Sequence, residues 1–124
     1  MVIGLGLDLA ETARIEAAVA RWGDRFTGRI FTERERAFAA ARQQPAMHLA
    51  ARFAAKEAVM KALGGPPGVG LRDIEVVGGG AAPPGIALHG RAREIADARG
   101  VRRILLSLTH TRELAAAVAV LEDG

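Results

Sequence analysis

The chain has 124 residues, 50% of them apolar and 25% charged, with no cysteine and a formal net charge of +3. That is enough for one core and one domain, residues 1–124, and it excludes disulfide frameworks and thiolate chemistry. No apolar run reaches membrane-spanning length and the N-terminus has no basic leader, so the sequence predicts a cytoplasmic protein without a membrane partner.

Taken in chain order, VIGLGLDLA alternates as a strand. Ile3, Leu5, Leu7 and Leu9 lie on one face, and Gly4, Gly6 and Asp8 on a nearly bare face that leaves room for something bulky. A helix follows from about Thr12, with Ile15, Val19, Trp22 and Phe26 on its apolar side and Gly23 as a possible interruption. TERE at 32–35 is a capping box, so the next helix runs from Thr32 to about Arg42. Pro45 suits a helix start and Gly64 a helix stop, which predicts a long helix ending at Leu63. GGPPGVG reads as a stiff turn. Strands are expected at DIEVVG and GIALHG, then a helix through RAREIADA ended by Gly100, and a closing hairpin RILLSL/ELAAAVAVLE that turns at THTR. The sum is an α+β domain, helices first and an antiparallel sheet after.

The long helix poses the chemical question. Its large apolar residues, Leu49, Phe53, Val59, Met60 and Leu63, form an arc opposite an alanine face, and Arg52 and Lys56 lie inside that arc with Glu57 at its edge. Asp8 and Glu57 are the sharpest pair. Two converging carboxylates with room for phosphate oxygens and water suit Mg²⁺, which keeps several waters. The plainer alternatives are a helix cap for Asp8 and a salt bridge from Glu57 to Lys61 one turn on. For Lys56 the plain alternative is a snorkelling stem, whereas Lys61 is better placed to meet a phosphate beside a carboxylate-held metal. His110 lies in the THT turn, and His48 and His89 offer each other no ligand spacing. Arg14, Arg21 and Arg25 form a stripe that is ordinarily a solvated face, but without interleaved acids it is also a surface that an acidic partner could use. Nucleic acid is a poor candidate for that partner, because one Trp, four Phe and no Tyr leave little for base stacking.

GLGLDLAETARIE, RFAAKEAVMKALG and ILLSLTHTRELAAAVAVLE, in this order and spacing, resemble the holo-acyl-carrier-protein synthase family of 4′-phosphopantetheinyl transferases over essentially the whole chain. The resemblance implies transfer of phosphopantetheine from coenzyme A to a serine of apo-acyl carrier protein, with release of adenosine 3′,5′-bisphosphate. It implies Asp8 and Glu57 as Mg²⁺ ligands, Glu57 as a candidate base and Lys61 as the group meeting the leaving phosphate. Arg52, Lys56, Lys61, Gly64, His110 and Thr111 would contact or shape the coenzyme site, and Arg14, Arg21 and Arg25 would dock the acidic carrier. The fold implied is that of the transferases, an N-terminal strand and helices packed on an antiparallel sheet, assembled as a homotrimer with sites between subunits. The alanine faces of the long helix and last strand agree with close packing of this kind. A metal-dependent nucleotide hydrolase using the same acids, and a basic RNA-binding module using the arginine stripe, are the alternatives from other classes.

Overall fold

The computed structural model describes residues 1–124. Strand β1 (Val2–Glu11) leads into helices α1 (Thr12–Trp22), α2 (Asp24–Ile30), α3 (Glu33–Ala40) and α4 (Pro45–Ala62). A short 3₁₀ turn, Leu71–Asp73, precedes the hairpin β2 (Ile74–Gly79) and β3 (Ala82–Leu88). Helix α5 (Gly90–Ala98) and the hairpin β4 (Arg103–His110) and β5 (Leu114–Glu122) complete the chain. No helix is long and apolar enough to cross a membrane.

The strands form two sheets where the sequence pattern suggested one. β1, β5 and β4 lie side by side in that order, all antiparallel, while β2 and β3 make a separate two-stranded sheet. The first helix also divides. Gly23 takes φ 55° and ψ −131°, a conformation open to glycine, and the chain restarts there as α2. The capping box forms as its residues dictate, with Glu35 N–H donating to Thr32 Oγ1 and Thr32 N–H donating to Glu35 Oε1.

Helix α4 lies across the inner face of the larger sheet, and small residues set how closely. Ala54, Ala55 and Ala58 are fully buried, as are Ala119 and Leu121 of β5. A Cβ on Gly4 would fall 2.6 Å from the Ala62 carbonyl oxygen, and one on Gly6 would overlap the Ala58 carbonyl. The bare face of β1 is therefore filled by α4. Likewise, the alanine faces of α4 and β5 pack on each other within the chain. Dispersion contacts at close range, rather than large side chains, hold this layer.

The outer face of the same sheet is uncovered. Leu5, Leu7 and Leu9 are 66%, 66% and 64% exposed, with Val2 and Leu105 exposed beside them. Register aligns Leu5 with Val120 and Leu105, so these side chains form one continuous apolar surface across three strands.

Candidate active site

β1 delivers Asp8 to the inner face of the sheet two residues beyond Gly6, where the close approach of α4 brings it to Glu57 and Lys61. Lys61 Nζ donates to Asp8 Oδ1 and to the Leu7 carbonyl, both at 3.0 Å, and its head is half exposed. Asp8 thus pairs across to α4 and does not cap α1, whose N-cap Glu11 makes no side-chain bond. Burial, and after it the charge of Asp8, push the Glu57 carboxyl above the ordinary carboxylate range, while Lys61 pulls it down. Two acids close enough to repel each other, on the half-buried side of a helix, form an oxygen-only donor set. No group of three or more histidine or acidic side chains converges anywhere in the chain. The two carboxylates offer oxygen donors of the kind a hard ion such as Mg²⁺ takes, since it is commonly held by one or two carboxylates, water and substrate phosphates. Gly64, exposed with φ 88°, closes α4 just beyond Lys61, its N–H donating to the Lys61 carbonyl.

Lys56 belongs elsewhere. It is fully buried, its Nζ 2.6 Å from Glu35 Oε1 and donating to the carbonyls of Ile74 at 2.6 Å and Leu71 at 3.0 Å. Three acceptors use its three protons, so it has none for a phosphate and does not snorkel. Of the two roles that the resemblance implied for Lys56, direct contact with the coenzyme and shaping of the site, this geometry is compatible only with the second. The lysine ties α4 to α3, the 3₁₀ turn and β2. Glu35 completes the knot by accepting the Val76 N–H at 2.8 Å.

Arg52, five residues before Glu57 and turned from it by about 140° around the helix, faces a second concavity. This cavity, about 340 Å³, is lined by Phe38, Arg42, His48, Arg52 and His110 and by the β2–β3 turn at Gly79 and Gly80. Arg52 donates to the Val76 and Gly78 carbonyls at 2.9 Å, and its buried Nε has no partner. His48 stacks edge-on against both Phe38 and His110, each at 5.8 Å between ring centres. Burial first, then His110, Arg42 and Arg52, hold His48 below the ordinary imidazole range, which keeps it neutral at pH 7. No acid lines this cavity. Sequence reasoning placed Arg52 and His110 at the coenzyme and did not select Arg42, which meets Phe38 four residues back, or His48, which meets Phe38 and His110 from other elements. The Thr111 hydroxyl is taken by its own turn, accepting the N–H groups of Glu113 and Leu114 at 3.3 and 3.1 Å. These bonds fix the exposed Thr111 at the hairpin end, beside His110.

The arginine stripe is real but broken. Arg14 and Arg21 are exposed on α1, and Arg25 is exposed on α2. Each helix adds an apolar groove that the sequence did not announce. Trp22, Phe26 and Ile30, with Arg25 and Arg29, line about 380 Å³. Leu9, Ile15, Phe26 and Phe53, with Arg14, line about 230 Å³. Trp22, expected on the apolar inner side, is 49% exposed at the first groove.

The fold is α+β, with two carboxylates beside a lysine on one side of α4 and a separate cavity rich in arginine and histidine on the other. The sequence matches the 4′-phosphopantetheinyl transferase superfamily over residues 4–119, and the chain belongs to that family. It is 47% identical to a holo-[acyl-carrier-protein] synthase of Anaeromyxobacter sp. (strain K) over 98% of this chain and 97% of the relative. Two solved synthases share the fold. One from Bacillus anthracis str. Ames, in complex with CoA (3′,5′-ADP), is 34% identical with a TM-score of 0.80, covering 100% of this chain and 99% of that one. One from Helicobacter pylori, in complex with coenzyme A, is 28% identical with a TM-score of 0.82, covering 95% and 99%.

Proposed function

We infer that the protein transfers 4′-phosphopantetheine from coenzyme A to a serine of apo-acyl carrier protein and releases adenosine 3′,5′-bisphosphate. Family membership along nearly the whole chain supports this, and the Asp8–Glu57 pair beside Lys61 is the observation that carries the chemistry. We read residues 1–124 as one transferase domain around one core. Asp8 and Glu57 would hold Mg²⁺, which when bound supplies charge neutralisation of the coenzyme diphosphate.

The serine oxygen forms its bond to the phosphorus of the pantetheine phosphate as that phosphorus loses its bridging oxygen to the departing bisphosphate. Glu57 takes the serine proton directly or through a water. Lys61 keeps one N–H beyond those given to Asp8 and Leu7, and offers it to the leaving phosphate. The basic cavity then takes the remaining anionic group of the donor, the ribose 3′-phosphate, on Arg42, Arg52, His48 and His110. Arg14, Arg21 and Arg25 steer the acidic carrier, and the two apolar grooves seat its side chains.

Within one chain the acidic pair and the basic cavity lie on opposite flanks of α4. Asp8 on β1 and His110 on β4 are separated by β5 and by two residues along the strand, roughly 12 Å between backbones. α4, seated tightly on Gly4 and Gly6, lies between them. A second copy whose basic cavity meets the first copy's acids would complete the site. The uncovered Leu5, Leu7, Leu9 surface is of the kind that subunits bury, and we propose a homotrimer.

Mass spectrometry of apo-acyl carrier protein incubated with coenzyme A, Mg²⁺ and this protein tests the reading. The expected result is a phosphopantetheine-sized gain on the serine. Coenzyme breakdown without carrier modification would instead support a hydrolase.

A further inference from the structure

The basic cavity contains an arrangement that neither the metal pair nor the carrier surface needs. The guanidinium carbons of Arg42 and Arg52 stand 3.4 and 3.8 Å from the centre of the Phe38 ring. Two guanidiniums at those distances cannot share one face of one ring without overlapping, so Phe38 lies between them. Each cation is attracted by one π face, and the ring keeps two like charges apart at a set spacing. Both arginines are also tethered. Arg42 Nη1 donates to the Phe38 carbonyl at 2.8 Å, and Arg52 is held by the Val76 and Gly78 carbonyls.

The β2–β3 turn is shaped to this sandwich. Gly79 and Gly80 take φ 93° and 66°, and Cβ atoms there would come within 3.1 Å of Phe38, 3.2 Å of Arg52 and 3.0 Å of Arg42. Only glycines let the turn lie this close and leave the cavity open. Edge-on contact of Phe38 with His48 extends the same order toward His110. The Arg52 Nε, 96% buried with its residue, has no protein partner and is a further donor.

We propose that Phe38 is a positioning residue and a determinant of donor specificity: by spacing Arg42 and Arg52 it fixes a two-armed clamp for a phosphate monoester dianion and selects a coenzyme bearing a 3′-phosphate over one lacking it. This rests on the reading that the basic cavity takes the nucleotide end of coenzyme A. A dianion bound by two preset guanidiniums gains directional, charge-assisted hydrogen bonds, whereas free arginine side chains would first have to be ordered.

The test compares coenzyme A with 3′-dephospho-coenzyme A as donors for Phe38→Leu and Phe38→Met, both of which keep apolar volume without a π face. Each variant should raise the KM for coenzyme A by about tenfold, change the KM for the dephospho donor by less than about twofold, and so erase most of the preference. Phe38→Tyr, which retains the ring, should restore it. Equal loss with both donors would mean general damage and would overturn the proposal. An unchanged preference in a folded Phe38→Leu variant would overturn it too. Arg42→Met separates the two readings: if it still lowers the preference, the cavity holds the phosphate and only the role of Phe38 fails. If neither substitution matters, the cavity assignment itself fails. In the wild-type protein, nuclear magnetic resonance should show the Arg42 and Arg52 Nε–H signals shifted upfield by the ring. Both should move on addition of adenosine 3′,5′-bisphosphate far more than on addition of adenosine 5′-monophosphate. Unshifted signals would refute the sandwich whatever the variants do.

Discussion

Glu57 is costly to the protein without metal. Its pKa in the folded chain lies above the ordinary value of 4.5, chiefly through burial and then through Asp8. The folded chain therefore binds that proton more tightly than the unfolded chain. The resulting stability is present below about pH 4.5 and is lost as pH rises through the folded-state pKa. Glu57→Gln should raise the melting temperature of the metal-free protein at pH 7, and the difference should vanish toward pH 4. The same variant should lose most transfer activity and the stabilisation that Mg²⁺ confers on the wild type, as should Asp8→Ala. A Glu57→Gln protein still stabilised by Mg²⁺ in calorimetry would remove Glu57 from the metal site. Lys56 behaves oppositely. Lys56→Met strands the buried Glu35 carboxylate and should cost about 3–5 kcal/mol in chemical denaturation. A loss below 1 kcal/mol would mean that the knot relaxes.

At the scale of elements, α1 and α2 present arginines of one sign along two short helices hinged at Gly23, above grooves that meet at Phe26. Charge on such a rim acts on encounter, and it is screened over a Debye length of about 8 Å at physiological salt. Arg14→Glu with Arg25→Glu should raise the KM for carrier protein and steepen its loss of kcat/KM, while coenzyme affinity stays nearly constant. Wild-type kcat/KM for the carrier should fall as salt rises. Equal weakening of coenzyme and carrier binding in the double variant would move these arginines from the docking face to the nucleotide cavity.

For the whole molecule, the decisive surface is the outer face of β1, β5 and β4. A patch built from Leu5, Leu7 and Leu9, each about two thirds exposed, would be an aggregation hazard on a free monomer. Leu7→Glu places a charge at its centre while keeping the backbone carbonyl that Lys61 uses. In the trimer reading, sedimentation should show monomers for this variant, and transfer should fall steeply with its fold intact by circular dichroism. A fully active monomer would refute the shared site.

The linear sequence determined much of this by itself. Capping residues, glycine stops and alternation placed nearly every element, because these signals act over three or four residues. The motifs around Asp8, Glu57 and Lys61, with the closing hairpin, pointed to the family by resemblance, and the reaction followed from that resemblance rather than from the spacing of the acids alone. Tertiary structure decided what those side chains meet. Local pattern could not tell that Lys56 spends its charge on Glu35, 21 positions away, or that Arg52 and His48 join the local Phe38–Arg42 pair beneath the β2–β3 turn. Nor could alternation tell which face of β1 is the core: Gly4 and Gly6 seem the emptier side, yet backbone contact with α4 buries them and leaves the leucines to the outside. In each case the partner comes from elsewhere in the chain, and only folding brings it within the few ångströms over which burial, hydrogen bonding and charge pairing act.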